Sequence, residues 1–412
     1  MIQKIKGTMD IMPDETPLFR YIEGIMREEA QKYGFGEIRL PTFELTELFV
    51  RGVGDTTDVV QKEMYTFMDG EDSITLRPEG TAGVVRAFIE NGKYGDTMPQ
   101  KYYYIMSCFR HEKPQAGRTR EFFQFGTEMF GSESPAADAS VIALAAAVFR
   151  RLGLTNVRLH INSIGCKNCR PDFKRALTDH FGKHTAELCD TCRGRMEKNP
   201  LRLLDCKSPI CSAIAKEAPK TVEHLCPECE AHFEALKSYL DAMGIEYTVD
   251  PGIVRGLDYY TRTVFEFIAE GIAAQSTVCG GGRYDGLVES LGGPALSGIG
   301  FGMGITRVIM ALEQASLADI PAVSPKLYIA SLGDKAAPTA LAITERLRRE
   351  GVYVECDVVG RSLKAQMKYA NKLGADYTLI LGDSEIESGK AQLRDMKNST
   401  QSEVELATFT LA

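Results

Sequence analysis

The 412-residue sequence predicts an α/β protein in which an α+β core built on antiparallel strands is followed by a small α/β domain. Three observations predict it. Two aromatic-rich runs, Tyr102 to Phe109 and Phe122 to Phe130, flank a polar segment containing Pro114 and Gly117, the pattern of antiparallel strands joined by a long loop. Eight of the 11 cysteines crowd between Cys166 and Cys229 and interrupt that core. Beyond the proline-containing linker ADIPAVSPK, strand and helix patterns alternate, which implies some parallel strands.

Composition agrees. A hydrophobic content of 44% and a charged content of 25% describe a globular chain large enough for two or three cores. No apolar run approaches the roughly 20 residues that span a bilayer, and MIQKIKGTMDIMPDE has no hydrophobic signal core, so a cytoplasmic location and no membrane partner are expected. A net charge of -8 argues against a wholly basic nucleic-acid binder and leaves such binding to local clusters of cations.

The elements follow in order. Leu18, Ile22, Ile25, Met26 and Ala30 recur at helical spacing, and Gly34 and Gly36 end that run. EIRLPTFEL reads as a strand interrupted by Pro41, which marks an edge or an interface because proline cannot donate to a ladder. MYTFMD and ITLRPEGT form a hairpin about Gly70, Glu71 and Asp72, and RPEGT opens a helix. There Glu79, taken alone, is a partner for the positive end of the helix dipole.

The chain is organised around Lys101 to Gly131, KYYYIMSCFRHEKPQAGRTREFFQFGTEMFG. Arg110 closes the first strand with Glu112 alternating onto its face, and Lys113, Arg118 and Arg120 make a cationic rim around the turn. Guanidinium groups bind phosphate oxygens bidentately, and rigid strands position them well. On the returning strand, Gln124 and Glu128 share a face. A solvated hairpin tip is the competing reading of the charge.

ADASVIALAAAVFRRLGL is an apolar helix and VRLHINSIG an alternating strand. The cysteines then fall as Cys166-x2-Cys169, Cys189-x2-Cys192, Cys206-x4-Cys211 and Cys226-x2-Cys229. Such words in a chain without an export signal point to zinc, in a structural role, more than to disulfides; a degenerate site that has lost its metal, or cysteines used as small hydrophobes, are the competing readings. Two pairs make one tetrahedral site and four pairs make two, with the partners left open. After the helix HFEALKSYLDAMG comes RGLDYY, in which a tyrosine pair precedes a strand, then CGGGRYDGL, whose glycines permit close backbone approach. In SGIGFGMG, glycines 298, 300, 302 and 304 leave one strand face bare, where a flat ring or another backbone could press, and a helix with Arg307 in its first turn follows. In the last domain, Arg361, Lys364, Lys368 and Lys372 form a basic stripe opposite Leu363, Met367 and Ala370.

FRHEKPQAGRTREFFQFGTE, RPEGT, RGLDYY, CGGGRYDGL and the SGIGFGMG segment, in this order, resemble the motifs of class II aminoacyl-tRNA synthetases in the form found in histidyl-tRNA synthetases. The resemblance implies an antiparallel-sheet catalytic domain in two parts, 1–165 and 246–320, an inserted mainly helical domain at 166–245, and an anticodon-binding domain at 325–412. It implies ATP-dependent activation of L-histidine and transfer to the 3′ end of tRNA(His), with Mg2+, in a homodimer formed through the first motif. Arg110 and Arg255 are expected at the α-phosphate, Arg307 at the γ-phosphate, and Glu112 and Arg118 around the rest of ATP. Glu79, Gly80, Thr81 and Gln124 would receive the substrate ammonium, while Glu128 and Tyr260, with Tyr259 and Tyr284, would face the imidazole. Lys113 and Gln115 are expected at the tRNA acceptor end, and Arg361, Lys364 and Lys368 at tRNA phosphates. Two other readings stand beside this one: a catalytically inert, histidine-sensing regulatory subunit, and a zinc-dependent nucleic-acid-binding module.

Overall fold

The computed structural model describes residues 1–412 except 56, 199, 205, 207, 254–256, 273–275, 321–322 and 412. Two compact units, Met1–Ile320 and Pro321–Ala412, divide the chain.

The first unit is built on an eight-stranded sheet in the order Gly36–Glu37, Gln100–Phe109, Glu121–Phe130, Gly298–Gly304, Thr277–Arg283, Thr261–Ala269, Val157–Ser163, Thr248–Val249. The two aromatic runs pair antiparallel from Gln100 opposite Phe130 to Phe109 opposite Glu121, as their pattern predicts. Antiparallel pairing continues across the six inner strands, and the short outer strands add in parallel. Strand alternation gives the sheet two apolar faces. On one, Phe125, Phe265, Phe267 and Phe301 pack under helices Thr16–Lys32, Pro135–Arg151, Pro227–Ala242 and Ile305–Gln314. On the other, Tyr104, Phe130, Val264 and Tyr284 meet Val84, Val85 and Phe88 of helix Thr81–Glu90. The candidate site lies on this second face.

Pro41 divides EIRLPTFEL between two sheets. Gly36–Glu37 joins the large sheet, whereas Phe43–Leu45 pairs with Asp72–Leu76 in a three-stranded sheet completed by Tyr65–Asp69. Arg77 holds the crossing, donating to the carbonyls of Leu40 and Pro41 at 2.9 Å and of Ser107 at 2.6 Å. The small sheet leaves Phe43, Leu45 and Phe67 exposed on one face.

A buried ion pair joins distant parts of the unit. Arg283, 0% exposed, donates from Nε to Asp138 at 3.1 Å and from Nη1 to the Ser132 carbonyl at 2.8 Å. Asp138 also accepts from Thr263 Oγ1 at 2.6 Å and meets His232 Nε2 at 2.7 Å. Burial alone would raise the Asp138 pKa, but the His232 and Arg283 partners outweigh it and hold the group below its ordinary range.

The cysteine-rich segment is helical, with helices Arg170–Gly182, Asp190–Lys198, Pro209–Lys216 and Pro227–Ala242. Its own small core gathers Phe173, Leu177, Phe181, Leu188 and Leu203.

The second unit has strands in the order Val354–Cys356, Leu327–Leu332, Tyr377–Gly382, Lys390–Asp395, Gln401–Glu405. The first three run parallel, as the strand and helix alternation implies, and an antiparallel hairpin extends them. The basic stripe needs one correction. Arg361 lies before helix Leu363–Lys372 and is fixed by Asp357 at 2.7 Å and by stacking 4.4 Å over the Tyr369 ring. Lys364, Lys368 and Lys372 are exposed, and Ala370 is buried on the opposite face.

Candidate active site

The bare strand face formed by glycines receives side chains of the protein itself. A Cβ at Gly298 would lie 2.2 Å from the Tyr284 ring, one at Gly300 2.0 Å from Glu128 Oε2, and one at Gly302 2.5 Å from Gln124 Nε2. Tyr104 is enclosed in the same way, because a Cβ at Gly80 would come within 2.3 Å of its ring and one at Gly126 within 2.1 Å. Contacts so short are impossible for real side chains. These glycines therefore set the depth to which Tyr104, Gln124, Glu128 and Tyr284 sink into the sheet.

Glu128 is the centre of the arrangement. Its carboxyl is 0% exposed, accepts from Thr81 Oγ1 at 2.7 Å and from the Tyr284 hydroxyl, and lies 3.5 Å from the Tyr104 hydroxyl. Burial pushes its pKa up to about 8, against the lowering effect of hydrogen bonds from Tyr284 and Thr81 and with a further rise from nearby Glu79. Glu79 is buried as well and caps helix Thr81–Glu90, accepting from the backbone N–H groups of Thr81 at 2.7 Å and Ala82 at 2.8 Å. Its pKa is raised by burial despite those bonds. Gln124 Oε1 accepts from the Tyr104 hydroxyl at 3.4 Å, so Gln124 and Glu128 face the same site, as their spacing predicts.

Tyr259 lies 4.7 Å from the Tyr260 ring and 5.6 Å from the Tyr284 ring, centroid to centroid. Tyr260 is buried against Gly282, and its carbonyl accepts from Arg170 Nη2. The hydroxyls of Tyr284 and Tyr104 meet Glu128. Tyr104 was legible only as an aromatic strand residue. Its glycine neighbours, Gly80 and Gly126, were the signal, but they come from separate parts of the chain.

The charged rim is also assembled. Arg110 follows the strand end at Phe109, donates from Nε to the Pro78 carbonyl at 3.0 Å, and lies 5.4 Å from the centroid of the Phe122 ring. Glu112 lies beyond the strand and pairs with Arg118 at 2.9 Å. Arg307 reaches from the helix after the glycine strand to the Gly117 carbonyl at 3.0 Å and the Thr277 carbonyl at 2.7 Å, so it pins the loop tip. Lys113 and Gln115 are exposed on that loop. Arg255 lies outside the described residues.

The cysteines resolve into two groups, Cys166, Cys169, Cys226 and Cys229, and Cys189, Cys192, Cys206 and Cys211, with the sulfurs of each group within 4.8 Å of one another. The first and last pairs combine and enclose the second and third in sequence. Sulfurs lie 3.8 Å apart in Cys166–Cys169, and 3.9 Å apart in Cys166–Cys226 and Cys189–Cys206. A tetrahedron with Zn–S bonds of about 2.3 Å has edges of about 3.8 Å, whereas a disulfide needs about 2.05 Å. Backbone N–H groups of Asn168 and Cys226 point at the sulfurs of Cys166 and Cys169, at 3.4 and 3.1 Å, in the manner that stabilises thiolates. The residues fit zinc.

Comparison with known proteins bears on this geometry. Residues 7–308 match the family described as histidyl-tRNA synthetase, and residues 326–410 match an anticodon binding domain family. The chain is similar to the histidine–tRNA ligase of Caldicellulosiruptor bescii, 51% identical over 406 residues, covering 98% of this chain and 96% of that one. With the histidine–tRNA ligase of Acetivibrio thermocellus it shares 52% identity over 410 residues, 99% of this chain and 98% of that one. Among solved structures, the apo S. aureus histidyl-tRNA synthetase superposes with a TM-score of 0.84 at 39% identity, covering 99% of this chain and 98% of that chain.

Proposed function

The chain belongs to the histidyl-tRNA synthetase family and is an aminoacyl-tRNA synthetase that ligates histidine to tRNA, and from that premise we propose how its residues perform the reaction. The histidine carboxylate attacks the α-phosphorus of ATP, the bond to pyrophosphate breaks, and histidyl-adenylate forms. A terminal ribose hydroxyl of tRNA then attacks the acyl carbon and AMP leaves. The family uses ATP with Mg2+, which neutralises charge on the phosphate oxygens when bound.

One observation carries the substrate assignment: the buried Glu128 carboxyl, ringed by the hydroxyls of Thr81, Tyr104 and Tyr284. Imidazole offers polar atoms at both ends of its ring, and an apolar side chain would leave these groups unpaired at a cost of several kcal/mol. Glu79, Thr81 and Gln124, with Gly80 giving Tyr104 its room, receive the ammonium group, and Tyr259, Tyr260 and Tyr284 wall the ring. Arg110 and Arg255 stabilise the charge that grows on the α-phosphate, where such contacts accelerate the reaction. Arg307 holds the γ-phosphate, and Glu112 and Arg118 border ATP. Lys113 and Gln115 meet the acceptor end of tRNA(His), and Arg361, Lys364 and Lys368 meet its phosphates.

The division into catalytic parts 1–165 and 246–320, an insert at 166–245 and an anticodon-binding domain at 325–412 accompanies this reading. So does a homodimer, supported by the exposed Phe43, Leu45 and Phe67 of the small sheet. A cytoplasmic setting fits thiols kept reduced, and no helix among the described residues is long and apolar enough to cross a membrane. The two cysteine groups hold structural zinc, one ion each. A histidine-sensing regulatory subunit is the less supported alternative, since the near-full-length relatives above are ligases.

The test is histidine-dependent exchange of labelled pyrophosphate into ATP. Exchange that requires histidine and falls at least about a hundredfold in Arg110→Ala is expected. Histidine binding without exchange in the presence of Mg2+ and ATP would reject the catalytic assignment.

A further inference from the structure

The two cysteine groups occupy different settings. The inner one, Cys189, Cys192, Cys206 and Cys211, belongs to the insert's own core with Phe173, Leu177 and Leu203. The outer one lies against the segment that leads into the histidine pocket. Just before Cys166, the Ile164 N–H donates to the Arg262 carbonyl at 2.8 Å, and the Gly165 carbonyl accepts from the Arg262 N–H at 2.9 Å. Those bonds hold Arg262 at a φ of 50°, a left-handed conformation that a side-chain-bearing residue adopts only when its surroundings impose it.

Arg170 makes the second link. It directly follows Cys169 in the chain and donates to the Tyr260 carbonyl. Its Nε is buried and has no hydrogen-bond partner among the described residues. Four thiolates around one Zn2+ carry a net charge of two minus, so an adjacent guanidinium is the counter-charge that such a site calls for. From Tyr260 the path continues through the Tyr259 and Tyr284 rings to the Glu128 carboxyl.

We propose that the outer group, Cys166, Cys169, Cys226 and Cys229, is a zinc site that positions the histidine pocket through Arg170, whereas the inner group serves only the fold of the insert. The proposal rests on the zinc reading above and adds a division of labour to it. Arg170 acts as a positioning residue: it orients Tyr260 and touches no substrate.

The experiment uses the full chain purified under reducing conditions without chelator. Zinc is counted by mass spectrometry, histidine affinity is measured by calorimetry, and amide exchange is followed in residues 257–263. The parent is expected to hold two zinc ions per chain, and Cys226→Ser/Cys229→Ser and Cys189→Ser/Cys192→Ser one each. The outer variant weakens histidine about tenfold, at least fivefold more than the inner variant does, and speeds exchange in 257–263. Arg170→Met, which spares all eight cysteines, keeps both ions and raises the histidine KM about tenfold, with a change in ATP KM of less than about twofold. A parent without zinc overturns the zinc reading and the proposal together. Two ions in the parent with equal histidine effects from the two cysteine variants, or an Arg170→Met protein with parental histidine affinity, overturns the division of labour alone.

Discussion

Replacing Glu128 with glutamine tests the buried carboxyl directly. With its pKa pushed up to about 8 by burial, Glu128 is about nine-tenths protonated at pH 7 in the unliganded pocket. Its neighbours there are Glu79, Tyr104, Tyr259 and Tyr284, none of which offers a positive charge. Histidine brings N–H donors and a cationic ammonium group, so the bound state favours the ionised carboxylate and binding releases a proton. The sign follows from the raised pKa. Its contribution to folding stability is fully present below the unfolded value near 4.5 and is lost as pH rises through about 8. Over the same upper range, histidine affinity rises. From pH 7 to pH 8 the protonation penalty falls from about 11-fold to about twofold, a gain of about fivefold. In Glu128→Gln that gain disappears. Loss of the charge-assisted contacts, about 1.5–3 kcal/mol, weakens histidine by about tenfold to a hundredfold or more. Calorimetry at pH 7 in two buffers of different ionisation enthalpy counts the released protons. The parent should release about 0.9 more per histidine than Glu128→Gln, since the ligand's own titration is common to both. Equal proton release by the two proteins would refute the assignment of the raised pKa to this pocket.

Other outcomes follow from the same structure. Gly300→Ala places a methyl group on the Glu128 carboxylate and the Thr127 carbonyl, and because the backbone cannot yield it should cost about 1–3 kcal/mol by thermal unfolding and weaken histidine binding. Arg283→Met leaves the buried Asp138 carboxylate without its guanidinium, and chemical denaturation should show a loss of about 3–5 kcal/mol in the first unit. Phe43→Glu combined with Phe67→Glu places charge on the exposed face of the small sheet, so under the homodimer proposed above sedimentation should report dimers for the parent and monomers for the variant. A variant pair that still sediments as a dimer would move the interface elsewhere.

The order of motifs and the two aromatic strands were legible in the sequence because strand patterning is local: apolar alternation and an intervening Pro114–Gly117 turn specify a hairpin without reference to the rest of the chain. The same holds for Gln124 and Glu128, whose even spacing puts them on one face whatever lies opposite. The alternating glycines from 298 to 304 announced a bare face but not its occupants. Those are Tyr284, just past the strand Thr277–Arg283, and Glu128 and Gln124 of the strand Glu121–Phe130. Tyr104 was invisible as a site residue for the same reason, since Gly80 and Gly126 enclose it only after three separate segments meet.

The eight cysteines, taken as spacing alone, specify thiol chemistry and allow one site or two. Their grouping, first with last and second with third, depends on helices Arg170–Gly182 and Pro227–Ala242 bringing the ends of the insert together. Likewise, Arg361 counts as one more cation in a stripe until Asp357 and the Tyr369 ring fix it. The sequence by itself determined which local elements form and which chemical groups they carry, because those follow from backbone sterics and a period of two or 3.6 residues. Only the tertiary structure decided which of those groups meet. Partners across a sheet or a long loop are selected by the burial and pairing of the whole unit, and no local period encodes them.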